Sequence, residues 1–177
     1  YGMSSLSSRY YSHFNFTSVA GELNSRLTQR VQNTLRATFS FQDQPRSTEY
    51  GNQPIIEVVM NDGQGHYPTW ALTGDVFTQG NLSQTKTLVV TDEVNMNFGK
   101  HNIIAGMQYE MNKAANGFAQ AAGGYYAYEA TPEQVAAGDW GSVFGAAPRV
   151  FGMTYGNGED HSMFTANMTT HQLSWYA

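Results

Sequence analysis

The side chains of this chain best suited to hold a ligand are aromatic. Tyr125, Tyr126, Tyr128 and Trp140 cluster within one stretch, and Tyr67, Trp70, Phe144 and Tyr155 stand in similar surroundings rich in Gly, Pro and Asn. Rings on exposed loops stack on sugars, peptides or planar ligands, and Tyr and Trp add a hydrogen-bonding edge. The competing expectation is that such rings pack their own loops or form an interfacial girdle. Tyr125, Tyr126, Tyr128 and Trp140 are therefore the candidate ligand contacts.

Other chemistry is sparse. The five His, at positions 13, 66, 101, 161 and 171, show none of the i+2 or i+4 spacing that one element needs to ligate a metal. They are expected in loops and turns, with no metal. Glu159-Asp160-His161 follows Gly156-Asn157-Gly158, and carboxylates on a Gly-rich loop suit Ca²⁺, but the spacing is not that of an EF-hand. A solvated turn is the simpler reading. No Gly-x-Ser-x-Gly elbow accompanies the Ser, His and Asp present, so no enzymatic chemistry and no cofactor are expected. With zero Cys, disulfides and Cys-zinc sites are impossible. A net charge of −5 argues against a nucleic-acid partner.

The elements that must position these residues are strands. Charged residues make up 13% of the 177, about half the usual ~25%, while 54 are Ser, Thr, Asn or Gln. That balance excludes a coiled coil, and 14% aromatic residues exclude disorder. The longest apolar run, Tyr125-Tyr126-Ala127-Tyr128, is far too short for a spanning helix. Residues 1–20 lack the basic start and apolar stretch of a secretion signal.

Period two runs through Leu88–Met111. Leu88, Val90, Asp92, Val94, Met96 and Phe98 share one face and Val89, Thr91, Glu93, Asn95 and Asn97 the other. After Gly99-Lys100 the parity inverts, as a two-residue type II′ turn requires, with Gly at its first position. Val31 to Phe41 alternates in the same way, and Tyr10–Val19 reads as a weaker strand joined to it near Gly21-Glu22. Near the C-terminal end the apolar phase moves from Phe164, Ala166 and Met168 to Leu173, Trp175 and Ala177, which a β-bulge near Thr170–Gln172 would explain.

Strands at about 31–42, 87–98, 101–112 and 164–177 leave two long, turn-rich connections, about 43–86 and 113–163. The expected fold is all-β: an antiparallel up-and-down meander with short turns at one end and long loops at the other. Outer-membrane barrels have this asymmetry. A soluble sandwich would carry Lys and Glu on its solvent face; here that face is mostly Thr, Asn, Gln and Ser, which suits a wet lumen. In a barrel Asp92, on the apolar face, should lie near an interfacial end. The alternative is a soluble or surface-exposed β-sandwich module that binds carbohydrate or protein through its loops.

The run from Thr91 to Glu110, through Asn97-Phe98-Gly99-Lys100-His101, resembles the TDNxTxxxGKHxxxxGxxYE hairpin of large TonB-dependent outer-membrane receptors of the Oar-like and SusC-like kind. Gly74-Asp75-Val76-Phe77, Asn116-Gly117-Phe118, Gly123-Gly124-Tyr125-Tyr126 and Leu173-Ser174-Trp175-Tyr176-Ala177 are similar to its surroundings, so the resemblance spans roughly residues 30–177. It implies energised uptake of a bulky nutrient, such as an oligosaccharide, peptide or siderophore, across the cell outer membrane. It also implies TonB and its inner-membrane motor as partners, contact with outer-membrane lipid, and in the SusC-like branch a surface lipoprotein lid. The family's plug domain and most of its roughly 22 strands have no counterpart here. The chain is thus expected to be an internal barrel segment of about five strands.

Overall fold

The structure, a computed structural model, describes residues 4–49, 51, 53–64, 67–78, 80–154 and 164–177. It is all-β, with mostly antiparallel strand pairing and two short helices. The chain divides into a sheet unit (Phe14–Gln44, Ser83–Asn116, Ala166–Ala177) and an insert unit (Tyr1–His13, Pro45–Leu82, Gly117–Thr165).

The strands, in chain order, are β1 (Tyr10–Ser12), β2 (Asn15–Arg26), β3 (Val31–Asp43), β4 (Arg46–Thr48), β5 (Ile55–Met60), β6 (Thr69–Thr73), β7 (Leu82–Phe98), β8 (His101–Gly117), β9 (Tyr125–Ala130), β10 (Val150–Gly152) and β11 (Thr165–Tyr176). Helix α1 spans Pro132–Ala137 and α2 Trp140–Gly145.

The sheet unit is a five-stranded sheet in the order β11-β8-β7-β3-β2. Its register aligns the residues of each face across the strands. Val19, Phe39 and Leu88 stand abreast, as do Leu23, Leu35 and Asp92, while Glu22, Arg36 and Thr91 share the opposite face. Gly99 has φ +67° and Lys100 is not in the left-handed region, which makes Gly99-Lys100 the expected type II′ turn. The connection from β2 to β3 is not at Gly21-Glu22. Gly21 lies inside β2 opposite Ala37, and the chain reverses at residues 27–30, where the N–H groups of Leu27 and Thr28 both donate to the Val31 carbonyl. Both short turns lie at one end of the sheet, and both long segments leave and return at the other.

Two further boundaries differ from expectation. The stretch Tyr10–Val19 is divided: β1 pairs with β4, and β2 starts afresh at Asn15 against Asp43. Strands β7 and β8 extend beyond the alternating region, because Ser83–Thr87, polar on both faces, and Asn112–Asn116, with Ala114 and Ala115 among polar residues, lack the alternation yet remain in strand. No bulge is needed in β11. Thr165 lies beside Gly117, His171 meets Tyr109 and Tyr176 reaches Glu93, which is unbroken period-two alternation. The phase shift arises because Ala166 and Met168 point to the face that is polar elsewhere.

One glycine in this sheet is required by a neighbour. A Cβ on Gly106 would lie 2.7 Å from Tyr176 Cζ and 2.9 Å from the Asp92 carbonyl oxygen. The gap lets the Tyr176 ring cross β8 and donate its hydroxyl to Glu93 Oε2 at 2.7 Å on β7. The same face carries further lateral bonds: Arg36 Nε and Nη2 to Glu22 Oε2 at 2.8 and 2.6 Å, and Thr87 Oγ1 to Asn112 Oδ1 at 2.6 Å.

Among the described residues nothing buries the apolar face. Val19 is 67% exposed, Leu23 60%, Met107 51% and Trp175 79%, and none of the buried hydrophobic residues belongs to this sheet. Asp92 stands at the middle of this face on β7, not at its end, and accepts a hydrogen bond from Asn33 Nδ2.

The two segments expected as loops hold structure of their own. They form a four-stranded sheet, β10-β9-β5-β6, in which β5 and β9 run parallel, so this unit is not an up-and-down meander. The helices pack on one face of that sheet, where Val58, Ala130 and Val143 are buried among Trp70, Tyr128 and Val135.

Candidate functional site

Period two in the insert unit's sheet distributes its aromatics onto opposite faces. Ile55, Glu57, Tyr125 and Ala71 share one face; Val58, Tyr128 and Trp70 share the other. On the first face lies an open cleft of about 740 Å³. Glu57, Thr69, Gln120 and Tyr125 line it with polar groups, and Phe77 and Met153 with apolar ones.

At its centre Tyr125 Oη donates to Glu57 Oε2 at 2.8 Å. Burial pushes the Tyr125 phenol up to about 12, and the hydrogen bond to Glu57 and the carboxylate's charge add to the shift. Tyr125 is thus a permanent donor and Glu57 a held acceptor with lone pairs to spare. The rim is fixed by a turn in which Asp75 Oδ1 accepts from the Phe77 N–H at 3.0 Å and the Thr78 hydroxyl at 2.8 Å. The Ala121 N–H bonds to the Val76 carbonyl at 3.2 Å, and Phe77 stacks on Phe118 with centroids 6.3 Å apart.

The opposite face carries an aromatic cluster. Trp140 meets Trp70 edge-on at 5.7 Å and Phe144 at 6.4 Å, and Tyr128 meets Phe144 edge-on at 5.2 Å. Trp70, Leu72, Trp140 and Phe144 line an apolar groove of about 440 Å³. The local sequence holds this face together. Thr131 and Gln134 form a reciprocal capping box on α1 beside Pro132, Gly138 closes it with φ +66°, and Asp139 Oδ1 caps α2 by accepting from the Ser142 N–H at 3.2 Å. The Ser142 hydroxyl and N–H hold the Asp139 carboxyl below its usual range.

The four candidate residues therefore do not converge on one site. Tyr125 lines the cleft and Trp140 the groove. Tyr126 packs on Phe151 with centroids 5.0 Å apart, and Tyr128 packs against the buried cluster of Val58, Ala130 and Val143. Tyr67 carries the Arg149 guanidinium 5.8 Å above its ring. Tyr155, His66 and the Glu159-Asp160-His161 cluster lie outside the described residues. His171 Nδ1 is 2.8 Å from Tyr109 Oη, a cross-strand contact in the sheet unit. Glu57, Gln120 and Phe77 were missed from sequence; the one available signal was Glu57 itself, a lone carboxylate inside Ile55–Met60.

Compared with known protein families, curated proteins and solved structures, the chain matches none.

Proposed function

We propose that the sheet unit is a lipid-facing wall segment of an outer-membrane β-barrel, and that the protein acts as a TonB-dependent transport receptor for a bulky nutrient. The uncovered apolar face carries this reading. From Leu88 to Phe98 it runs eleven residues, whose ten steps span about 34 Å along the strand and about 24 Å after a tilt of about 45°. The apolar band of a membrane barrel is about 25 Å tall. The opposite face, bonded laterally through Glu22–Arg36, Glu93–Tyr176 and Thr87–Asn112, suits a wet lumen. Within the band, the Asn33 amide supplies the Asp92 carboxylate with a partner that lipid lacks.

In this reading the insert unit is on the outer side and meets the nutrient, with Tyr125 and Glu57 in the cleft as its hydrogen-bonding contacts. TonB would act through a plug domain, and a surface lipoprotein could close over the outer segments. The rival, a soluble sandwich, needs a second sheet stacked about 10 Å from the apolar face; among the described residues none buries it. Fractionation decides between them. The protein is expected in the membrane pellet, released by detergent and not by high salt or alkaline carbonate. Recovery of folded protein in the soluble fraction without detergent would refute the barrel reading.

A further inference from the structure

The chain contains three Lys, at 86, 100 and 113, and the fold brings two of them face to face. Counting from the two-residue turn, Lys86 on β7 lies directly opposite Lys113 on β8, and one position along, Thr87 Oγ1 bonds Asn112 Oδ1 at 2.6 Å, which confirms the register. Like charges directly opposed across an antiparallel pair are destabilising. Among the described residues neither ammonium has a carboxylate within ion-pair distance. Lys86 Nζ lies 5.5 Å above the Phe41 ring, and the nearby Asp43 Oδ1 accepts instead from Gln84 Nε2 at 3.1 Å. The two lysines, with Asn167 and Thr169, line a depression of about 390 Å³. Among the described residues, two cations and two neutral hydrogen-bonding side chains line one depression whose lining holds no carboxylate, a composition that suits a phosphate.

The position narrows the source. Lys86 precedes Leu88 by two residues on the same face, at the end where the long segments attach and the apolar run stops. We propose that Lys86 and Lys113 form a phosphate site, and that the phosphate belongs to a lipid headgroup at the rim of the apolar band. The lipid source rests on the barrel reading; the anion site does not.

The test uses the purified full chain. In zwitterionic micelles, phosphatidic acid and phosphatidylcholine are titrated separately and bound lipid is counted by native mass spectrometry. Each lysine facing an anionic headgroup contributes about fivefold. Lys86→Gln and Lys113→Gln are each expected to weaken phosphatidic acid binding about fivefold, and the pair about 25-fold. Phosphatidylcholine binding stays unchanged, Lys113→Arg retains the phosphatidic acid preference, and Lys100→Gln is the charge-matched control. Inorganic phosphate is the second probe, read as a rise in thermal midpoint. A rise in wild type but not in Lys113→Gln supports the anion site even if the chain proves soluble, which would sink only the barrel reading and the lipid source. Without any anion, Lys113→Gln should be at least as stable as wild type, because a repulsion has been removed. Equal losses in Lys100→Gln, or no loss in either site variant with both probes, overturn the proposal.

Discussion

Replacing Tyr125 by Phe removes one hydroxyl from the cleft and leaves the ring. In wild type that phenol ionises at about 12 rather than 10. Two pH units correspond to about 2.7 kcal/mol between the protonation states. The ring is only half-buried, and solvent screening of the Glu57 contribution cuts the expected stability effect to about 1 kcal/mol. Because the folded pKa is raised, this stabilisation is complete below pH 10 and is lost as pH rises through 12. The assay is phenolate absorbance after a rapid alkaline jump, so that ionisation is read before unfolding. Wild type minus Tyr125→Phe isolates one tyrosine, with an expected midpoint of about 12. Glu57→Gln should lower that midpoint yet leave it above 10, since burial, the largest cause, persists. A difference curve centred at 10 and indifferent to Glu57→Gln would refute the cleft geometry described above.

Gly106→Ala sets two effects against each other. Backbone entropy alone would favour Ala by about 0.4–1 kcal/mol, but overpacking costs about 1–3 kcal/mol, and the new Cβ would meet Tyr176 and the Asp92 carbonyl below 3 Å. A lower thermal midpoint is therefore expected, and a higher one contradicts the crossing ring. Val58→Ala removes fully buried methyls from beside Ala130 and Val143 and should cost about 2 kcal/mol in denaturant unfolding of the insert unit. Gly99→Val places a β-branched side chain at φ +67° and should destabilise the β7–β8 hairpin by about 1–3 kcal/mol, readable as faster amide exchange near the turn.

The hairpin β7–β8, strand β3 and the asymmetry of their connections were legible in the residues, because each is a local pattern: period two on a half-apolar surface, and Gly where a turn needs positive φ. The β2–β3 turn was misplaced because Gly21 reads as punctuation, while no glycine marks residues 27–30, which turn through hydrogen bonds to the Val31 carbonyl. The insert unit was invisible for a different reason. Its strands are short, its central pair is parallel, and β5 and β9 gain their meaning only from each other.

The candidate site divides along the same line. Aromatic composition alone pointed to Tyr125, Tyr126, Tyr128 and Trp140, but could not tell which rings face space and which face the core. That depended on pairing Ile55 with Tyr125, which sends alternate side chains to opposite faces and sets Glu57 against a phenol 68 positions away. By itself the sequence determined an all-β chain whose strands are apolar on one face and hydrogen-bonding on the other, since side-chain period is a local property of the backbone. Which residues meet across strands, at Lys86 and Lys113, at Gly106 and Tyr176, and at Glu57 and Tyr125, only the tertiary structure decided, because register between distant segments is set by the whole sheet.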